Sequence, residues 1–282
     1  MTSTIDRPVR VVSTDAAPSE DVHIAVKDVH RTYPARGGSG AIEALASVTF
    51  NLRRSEFFAV VGPSGCGKSS LLDLMAGLGR PSSGTITFEQ RRIEGRVPDG
   101  VGIVFQEDAS FAWLNVYDNI AFGLRRGGFD GAEIGRRVDH ALRFMGLVDF
   151  AKAYPAQLSG GMRQRVCIAR TLVMQPRVIF LDEPFGALDQ QTRLLMGDEL
   201  LRLWRETGAS ILLITHALDE AAMLADRIGI MSARPGRFIE IIETHWPRER
   251  TSEIVAERGF GAITARIWSS LRSESMKSMA RR

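Results

Sequence analysis

The sequence predicts an α/β fold built on a mainly parallel sheet, and three features carry that reading. Apolar runs at 57–61, 101–105, 178–181, 211–215 and 228–231 are short and nearly unbroken, as strands buried on both faces are. Segments of helical period separate them, and such alternation gives a sheet wound on both faces. A glycine-rich turn leads from the first of these runs directly into a helix.

Taken in order, residues from about 22 to 58 are strand-like. One candidate is 23–29, and 48–52 alternates Val48, Phe50 and Leu52 with polar neighbours. Gly37, Gly38 and Gly40 mark a loop between the two. Ser69 to about Ala76 reads as a helix stopped by Gly77 and Gly79, after which Pro81, Ser82, Ser83 and Gly84 turn the chain into 85–88. From about 107 to 156 the period is helical, with Ile120, Phe122 and Leu124 and then Val138, Leu142 and Met145; with the helix that follows, this predicts a helical insert over about 107–165. Arg234, Pro235, Gly236 and Arg237 predict a hairpin turn into 238–242. Phe260, Ile263, Ile267 and Leu271 recur at helical spacing among arginines and predict a terminal amphipathic helix. The expected organisation is a disordered tail at 1–20, one domain at 21–245 and a helical tail at 246–282, with no internal repeat.

Composition excludes little but narrows the class. A formal charge of +3 set against 36 basic and 33 acidic side chains argues neither for nor against an anionic partner. Cys66 and Cys167 are far apart and in no metal-binding pattern, which reads as a reduced protein without a cysteine-held metal. The first 20 residues lack an apolar stretch, so neither signal peptide nor anchor is expected there. No run of about 18 apolar residues occurs, so any link to a membrane is expected through a partner.

Gly62, Pro63, Ser64, Gly65, Cys66, Gly67, Lys68 and Ser69 match GxxxxGK[ST] between a buried strand and a helix. The glycines let successive backbone N–H groups turn inward around phosphate oxygens, and the free N–H groups opening the helix, up to Ser70, face the same anion. Lys68 is expected to reach the β- and γ-phosphates of ATP, and the Ser69 hydroxyl to ligate Mg²⁺. Cys66 reads either as a thiol acidified by the helix start or as a small residue that fits. The run 178–181 ends in Asp182 and Glu183. Carboxylates are rarely left at a buried strand end without a partner; Asp182 suits Mg²⁺, and Glu183, one residue further on, suits a base that polarises the attacking water.

Leu158, Ser159, Gly160, Gly161 and Met162 follow the phosphate loop and precede the Asp182–Glu183 strand by about two dozen residues. This segment resembles the LSGGQ-type signature of ABC ATPases, and the resemblance extends over about 22–242. It implies a P-loop NTPase core with a mainly parallel sheet, an N-terminal antiparallel β subdomain and an inserted α-helical subdomain. It further implies that Gln106 is the Q-loop glutamine, acting at the metal and in catalysis, and that Gly186, Ala187, Leu188 and Asp189 form the D-loop beside the nucleotide. His216 matches the H-loop histidine that bonds the γ-phosphate and the water, and Tyr33 the aromatic that stacks on adenine. Ser159 and the Gly160 and Gly161 amides make a second anion site at a helix start. In the family two subunits pack head to tail, so each signature caps the nucleotide held by the other. Three positions depart from the commoner pattern: Met162 for Gln, Gly186 for Ser, and Ala217 where an acid often follows the histidine.

The family resemblance implies an ATPase homodimer closed by ATP beneath two copies of a transmembrane permease subunit, peripheral on the cytoplasmic face of the membrane. Phe111, Ala112, Trp113, Leu114, Asn115 and Val116 read equally as a groove that receives a permease helix or as ordinary core. This stretch, the turn from Met231 to Arg237 and the short amphipathic tail resemble the nitrate, sulfonate and taurine importers. The implied role is uptake of such a small anion, delivered by an extracytoplasmic solute-binding protein, with no nucleic-acid partner. The alternatives are an ABC ATPase for another solute or an exporter, and a soluble ABC ATPase acting on nucleic acid or ribosomes. Such soluble ATPases usually carry two cassettes, long coiled coils or a basic tract, and none is present here.

Overall fold

A computed structural model describes residues 21–35, 40–106, 109–186 and 188–279 of the chain. The tail expected at 1–20, Gly37 and Gly38 of the expected loop, and Ala187 lie outside the described residues. The chain opens with β1 (Val22–Pro34) and β2 (Ala41–Arg53), then enters β3 (Phe57–Val61), the glycine-rich turn and α1 (Lys68–Met75). β4 (Ser83–Phe88) and β5 (Arg91–Arg92) return to the first pair, and β6 (Val101–Val104) precedes α2 (Val116–Arg126), α3 (Gly131–Phe144) and α4 (Gly160–Leu172). β7 (Val178–Asp182), α5 (Gln190–Thr207), β8 (Ser210–Ile214), α6 (Leu218–Leu224) and β9 (Arg227–Met231) alternate as predicted. β10 (Phe238–Glu243) and α7 (Arg258–Met279) follow.

Two sheets result. One is antiparallel, in the order β2-β1-β4-β5; the other runs β10-β9-β3-β8-β7-β6 and is parallel except for the β9–β10 pair. Both β1 and β2 extend well beyond the stretches the sequence marks. Register shifts between Val26 and Arg31, with Asp28 and Ser47 at φ 47° and 51°, interrupt the period of two.

Alternation within the parallel strands sorts side chains onto two faces. Phe57, Ala59, Val61, Ile179, Leu181, Ile211 and Leu213 pack with the helical face, whereas Phe58, Val60, Val178, Phe180, Leu212 and Ile214 pack with α1 and the antiparallel sheet. The central sheet is thus covered by helices on one side and by α1 and a second sheet on the other. Phe260, Ile263, Ile267 and Leu271 of α7 are buried against the helical face, as their spacing predicts. No helix among the described residues is long and apolar enough to cross a membrane.

Candidate active site

The order β3-β8-β7-β6 brings four parallel strand ends side by side, and ligands of open α/β sheets bind outside such carboxyl ends. β3 delivers the phosphate loop, β8 leads to Thr215 and His216, β7 ends in Asp182 and Glu183, and β6 leads to Gln106. The sequence-predicted residues from four separate motifs therefore meet at one edge because of strand order alone.

Gly67 has φ 110°, and a Cβ there would lie 2.7 Å from the Ala44 carbonyl oxygen, so only glycine fits the turn into α1. Lys68 is buried, and its Nζ donates to the carbonyls of Gly62 at 2.9 Å and Pro63 at 3.1 Å, curling back over the loop. Cys66 is buried within this packing, and burial pushes its thiol up, which favours the small residue that fits over an acidified thiol. Tyr33 reaches the same helix start: its hydroxyl donates to Ser70 Oγ at 3.3 Å, and the Arg31 guanidinium lies 4.4 Å over its ring.

Asp182 pairs in register with Ile214 and is buried. Burial, aided by the Glu183 and Asp73 carboxylates, raises its pKa against the opposing Ser69 hydrogen bond and the Lys68 charge. Its Oδ1 is buried with no hydrogen-bond partner. A buried orphan carboxylate oxygen beside a serine hydroxyl fits Mg²⁺, which takes one or two carboxylates and leaves its remaining positions to phosphates and waters.

Glu183 adopts φ 46°, a left-handed backbone that costs a non-glycine residue about 1–3 kcal/mol. Its amide donates to Ile214 O at 2.8 Å, which fixes the residue against β8. One carboxylate oxygen, Oε2, is held from two sides: Gln106 Nε2 donates to it at 3.0 Å and His216 Nδ1 lies 3.1 Å away. His216 remains 61% exposed, so the cluster opens to solvent on its ring side.

Behind His216 lies a set of charged residues that motif reading passes over. Thr215 Oγ1 donates to Glu220 Oε2 at 2.6 Å and accepts the Ala217 amide at 2.9 Å, shaping the backbone around the histidine. Glu220 is buried; burial raises its pKa, and the Thr215 bond and the Arg193 charge oppose that rise. Arg193 Nε sits 3.1 Å from Glu220 Oε1 as an ion pair without an aligned hydrogen bond, and Arg193 Nη2 donates to the Leu188 carbonyl at 3.1 Å. The only signal in the sequence is spacing: Arg193 and Glu220 each stand four residues after a motif residue, Asp189 and His216.

Ser159 caps α4, its Oγ accepting the Met162 amide at 3.3 Å, and Gly160 and Gly161 open that helix. Asp189 caps α5, accepting the Thr192 amide at 3.0 Å and the Thr192 hydroxyl at 2.6 Å, which holds its carboxyl below the usual range. Leu158 and Met162 pack in the helical core, and Cys66, Leu71 and Leu72 in the opposite one. The signature and the phosphate loop therefore stand on different faces of the central sheet.

The segment after Gln106 is divided: Val116 is buried in the core, whereas the aromatics before it are not. Trp113 is 74% exposed, its ring tilted against Phe111 at 5.3 Å, and Phe111 lies 4.6 Å from Phe122. Asn119, fully buried, holds the segment in place: its Oδ1 accepts the Phe111 amide at 2.8 Å and its Nδ2 donates to the carbonyls of Phe111, Leu114 and Asn115. From α4, Arg170 donates to the Ala109 carbonyl at 2.8 Å and lies over the Phe111 ring. One helix thus carries the signature at its start and grips the aromatic segment near its end.

Comparison with known proteins agrees with this geometry. Residues 45–186 match the family described as ABC transporter. The chain is 40% identical over 257 residues to the nitrate import ATP-binding protein NrtD of Synechocystis sp., covering 89% of this chain and 96% of that protein. It is 42% identical over 214 residues to the taurine import ATP-binding protein TauB of Ruegeria pomeroyi, covering 76% and 79%. Among solved structures, a dimeric post-hydrolysis ATP-binding cassette, MJ0796, bound to ADP and phosphate superposes with a TM-score of 0.70 at 30% identity, over 78% of this chain and 98% of that one. The chain belongs to the ABC transporter family, as one of its ATP-binding cassettes.

Proposed function

We propose that the chain is the ATP-hydrolysing subunit of a bacterial importer for a small anion such as nitrate, an aliphatic sulfonate or taurine. Two copies bind head to tail, so that Ser159, Gly160 and Gly161 of one face the nucleotide held by Lys68 of the other. The separation of signature and phosphate loop onto opposite faces of the sheet supports this, since one copy cannot close both on a single γ-phosphate. The observation that carries the reading is Glu183, set at a strand end and held by Gln106 and His216.

In this mechanism Lys68 exchanges the Gly62 and Pro63 carbonyls for phosphate oxygens, and Tyr33 stacks on the base. Glu183 accepts a hydrogen bond from the attacking water and orients it, while His216 turns toward the γ-phosphate. Ser69, Asp182 and Gln106 are the residues that would hold Mg²⁺, and the ion would supply neutralisation of charge on the phosphates. Asp189 lines the interface between the copies. The exposed Phe111, Trp113 and Phe122 receive the permease, and closure of the cassettes is passed to the membrane there. The subunit is peripheral on the cytoplasmic side, and an extracytoplasmic solute-binding protein supplies the anion.

The test is reconstitution with the membrane protein that co-purifies with the chain. ATP hydrolysis stimulated by solute-loaded binding protein, with uptake of labelled taurine, sulfonate or nitrate, is the expected result. Co-purification with ribosomes, or uptake of none of these anions, overturns it.

A further inference from the structure

The inward face of α7 is apolar at Phe260, Ile263, Ile267 and Leu271, and the next position on that stripe is Glu274. Glu274 is buried, and an aliphatic side chain would continue the stripe at lower desolvation cost. Its Oε2 accepts the backbone N–H of Ala233 at 2.8 Å, and its Oε1 pairs with Lys277. The helix is tied a second time through Glu240 of β10, which accepts from Arg266 Nε at 2.7 Å and Ser270 Oγ at 2.5 Å.

Ala233 lies in the 232–237 turn, which is internally braced. Ser232 Oγ donates to the Pro235 carbonyl at 3.0 Å and accepts the Arg237 amide at 3.1 Å. The far side of this turn meets the phosphate loop. The Gly236 amide donates to Ala44 O at 2.9 Å, and its carbonyl accepts the Ala46 amide at 3.0 Å. A Cβ on Gly236 would overlap the Cys66 carbonyl, and Ala44 O is the atom that confines Gly67. Three backbones are therefore packed in contact, and the Met231 and Leu45 side chains fill the space beside them. Close-packed groups of this kind transmit displacement because there is no void to absorb it.

We propose that Glu274 is a positioning residue for the phosphate loop, acting through the Ala233 N–H and the 232–237 turn to hold the Cys66 and Gly67 backbone in its phosphate-binding form. The inference rests on that loop being the nucleotide site. The pre-set N–H groups of such a loop lose affinity when they must be reordered on binding.

The test is equilibrium binding of a fluorescent ADP analogue to the full chain, with steady-state ATPase kinetics. Glu274→Leu completes the apolar stripe, so the helix stays packed, but it removes the acceptor; ADP binding is expected to weaken about tenfold, the size of one lost charge-assisted hydrogen bond. KM for ATP rises in parallel while kcat at saturation holds, as for loss of uniform binding. Glu274→Gln, which keeps an acceptor oxygen, and Lys277→Ala are expected within about twofold of wild type. Hydrogen exchange at 62–69 should quicken in Glu274→Leu alone. Unchanged ADP affinity and exchange in Glu274→Leu overturns the proposal, as does equal weakening in Glu274→Gln. Lys68→Ala separates the two readings: if it too binds ADP normally, the assignment of the loop has failed and not the role of Glu274.

Discussion

His216 Nδ1 lies 3.1 Å from Glu183 Oε2, so the ends of β8 and β7 converge on one carboxylate oxygen that Gln106 also holds. Glu183 is therefore oriented by the protein's own groups, and the strained φ of 46° is held by contacts on both side chain and backbone.

Glu183→Gln keeps the shape of the side chain and removes its basicity. ATP binding is expected to persist, while turnover falls about 100-fold or more, the range lost with a positioned base. A nucleotide-trapped dimer should appear by size-exclusion chromatography. Turnover at the wild-type rate removes Glu183 from its role.

Arg193 and Glu220 couple the Leu188 carbonyl to Thr215 and so to the histidine backbone. Arg193→Met leaves a buried carboxylate without its cation and should cost about 3–5 kcal/mol in urea unfolding. Adding Glu220→Gln should recover most of that loss, because the amide still accepts from Thr215 and needs no cation. A double variant no more stable than the single one argues against the pair.

Trp113→Ala removes an exposed aromatic from a segment that Asn119 holds independently. Nucleotide affinity and melting temperature should not move. Permease affinity is expected to drop by about 2 kcal/mol, roughly 30-fold, as at an aromatic interface anchor. Pull-down with the permease, and coupled uptake, read this directly; an unaffected pull-down rejects the docking role.

His23 sets a pH dependence. Ser210 Oγ gives its proton to the Arg53 carbonyl at 2.8 Å, so it must accept from His23 Nδ1, at 2.6 Å. Nε2 then accepts from Arg54 Nη1 at 2.7 Å. Burial, with the Arg54 charge, lowers the pKa from 6.5 to about 4 against the opposing pull of Glu89. Between those values the unfolded chain binds a proton that the native one does not. The contribution is therefore present above pH 6.5 and is lost as pH falls toward 4. Melting curves across that window should flatten in His23→Asn, whose amide still donates to Ser210 but does not titrate. An unchanged slope rules out His23 as the source.

Much of this site is legible in the sequence because motif residues are few and fixed by chemistry. Gly62 to Ser69, Asp182, Glu183 and His216 all flank apolar runs, and a buried parallel strand announces itself by composition. The length of β1 and β2 is hidden by bulges at Asp28 and Ser47, which break the alternation that periodicity depends on. Arg193 and Glu220 are hidden for a different reason. Each is a charge on a helix, where the default reading is a solvated face, and only the fold shows that the two charges face each other. Trp113 sits among apolar neighbours in the sequence, yet the cap at Asn115 and the bonds of Asn119 turn it outward.

The strand order also sets a timetable. β3, which carries the phosphate loop, is made early, but its partners on both edges, β8 and β9, come about half the chain later. A growing chain that has already displayed Lys68 to the solvent still lacks any neighbour to frame that strand. The frame that positions this loop is thus complete only once the residues beyond Ser210 have joined the sheet.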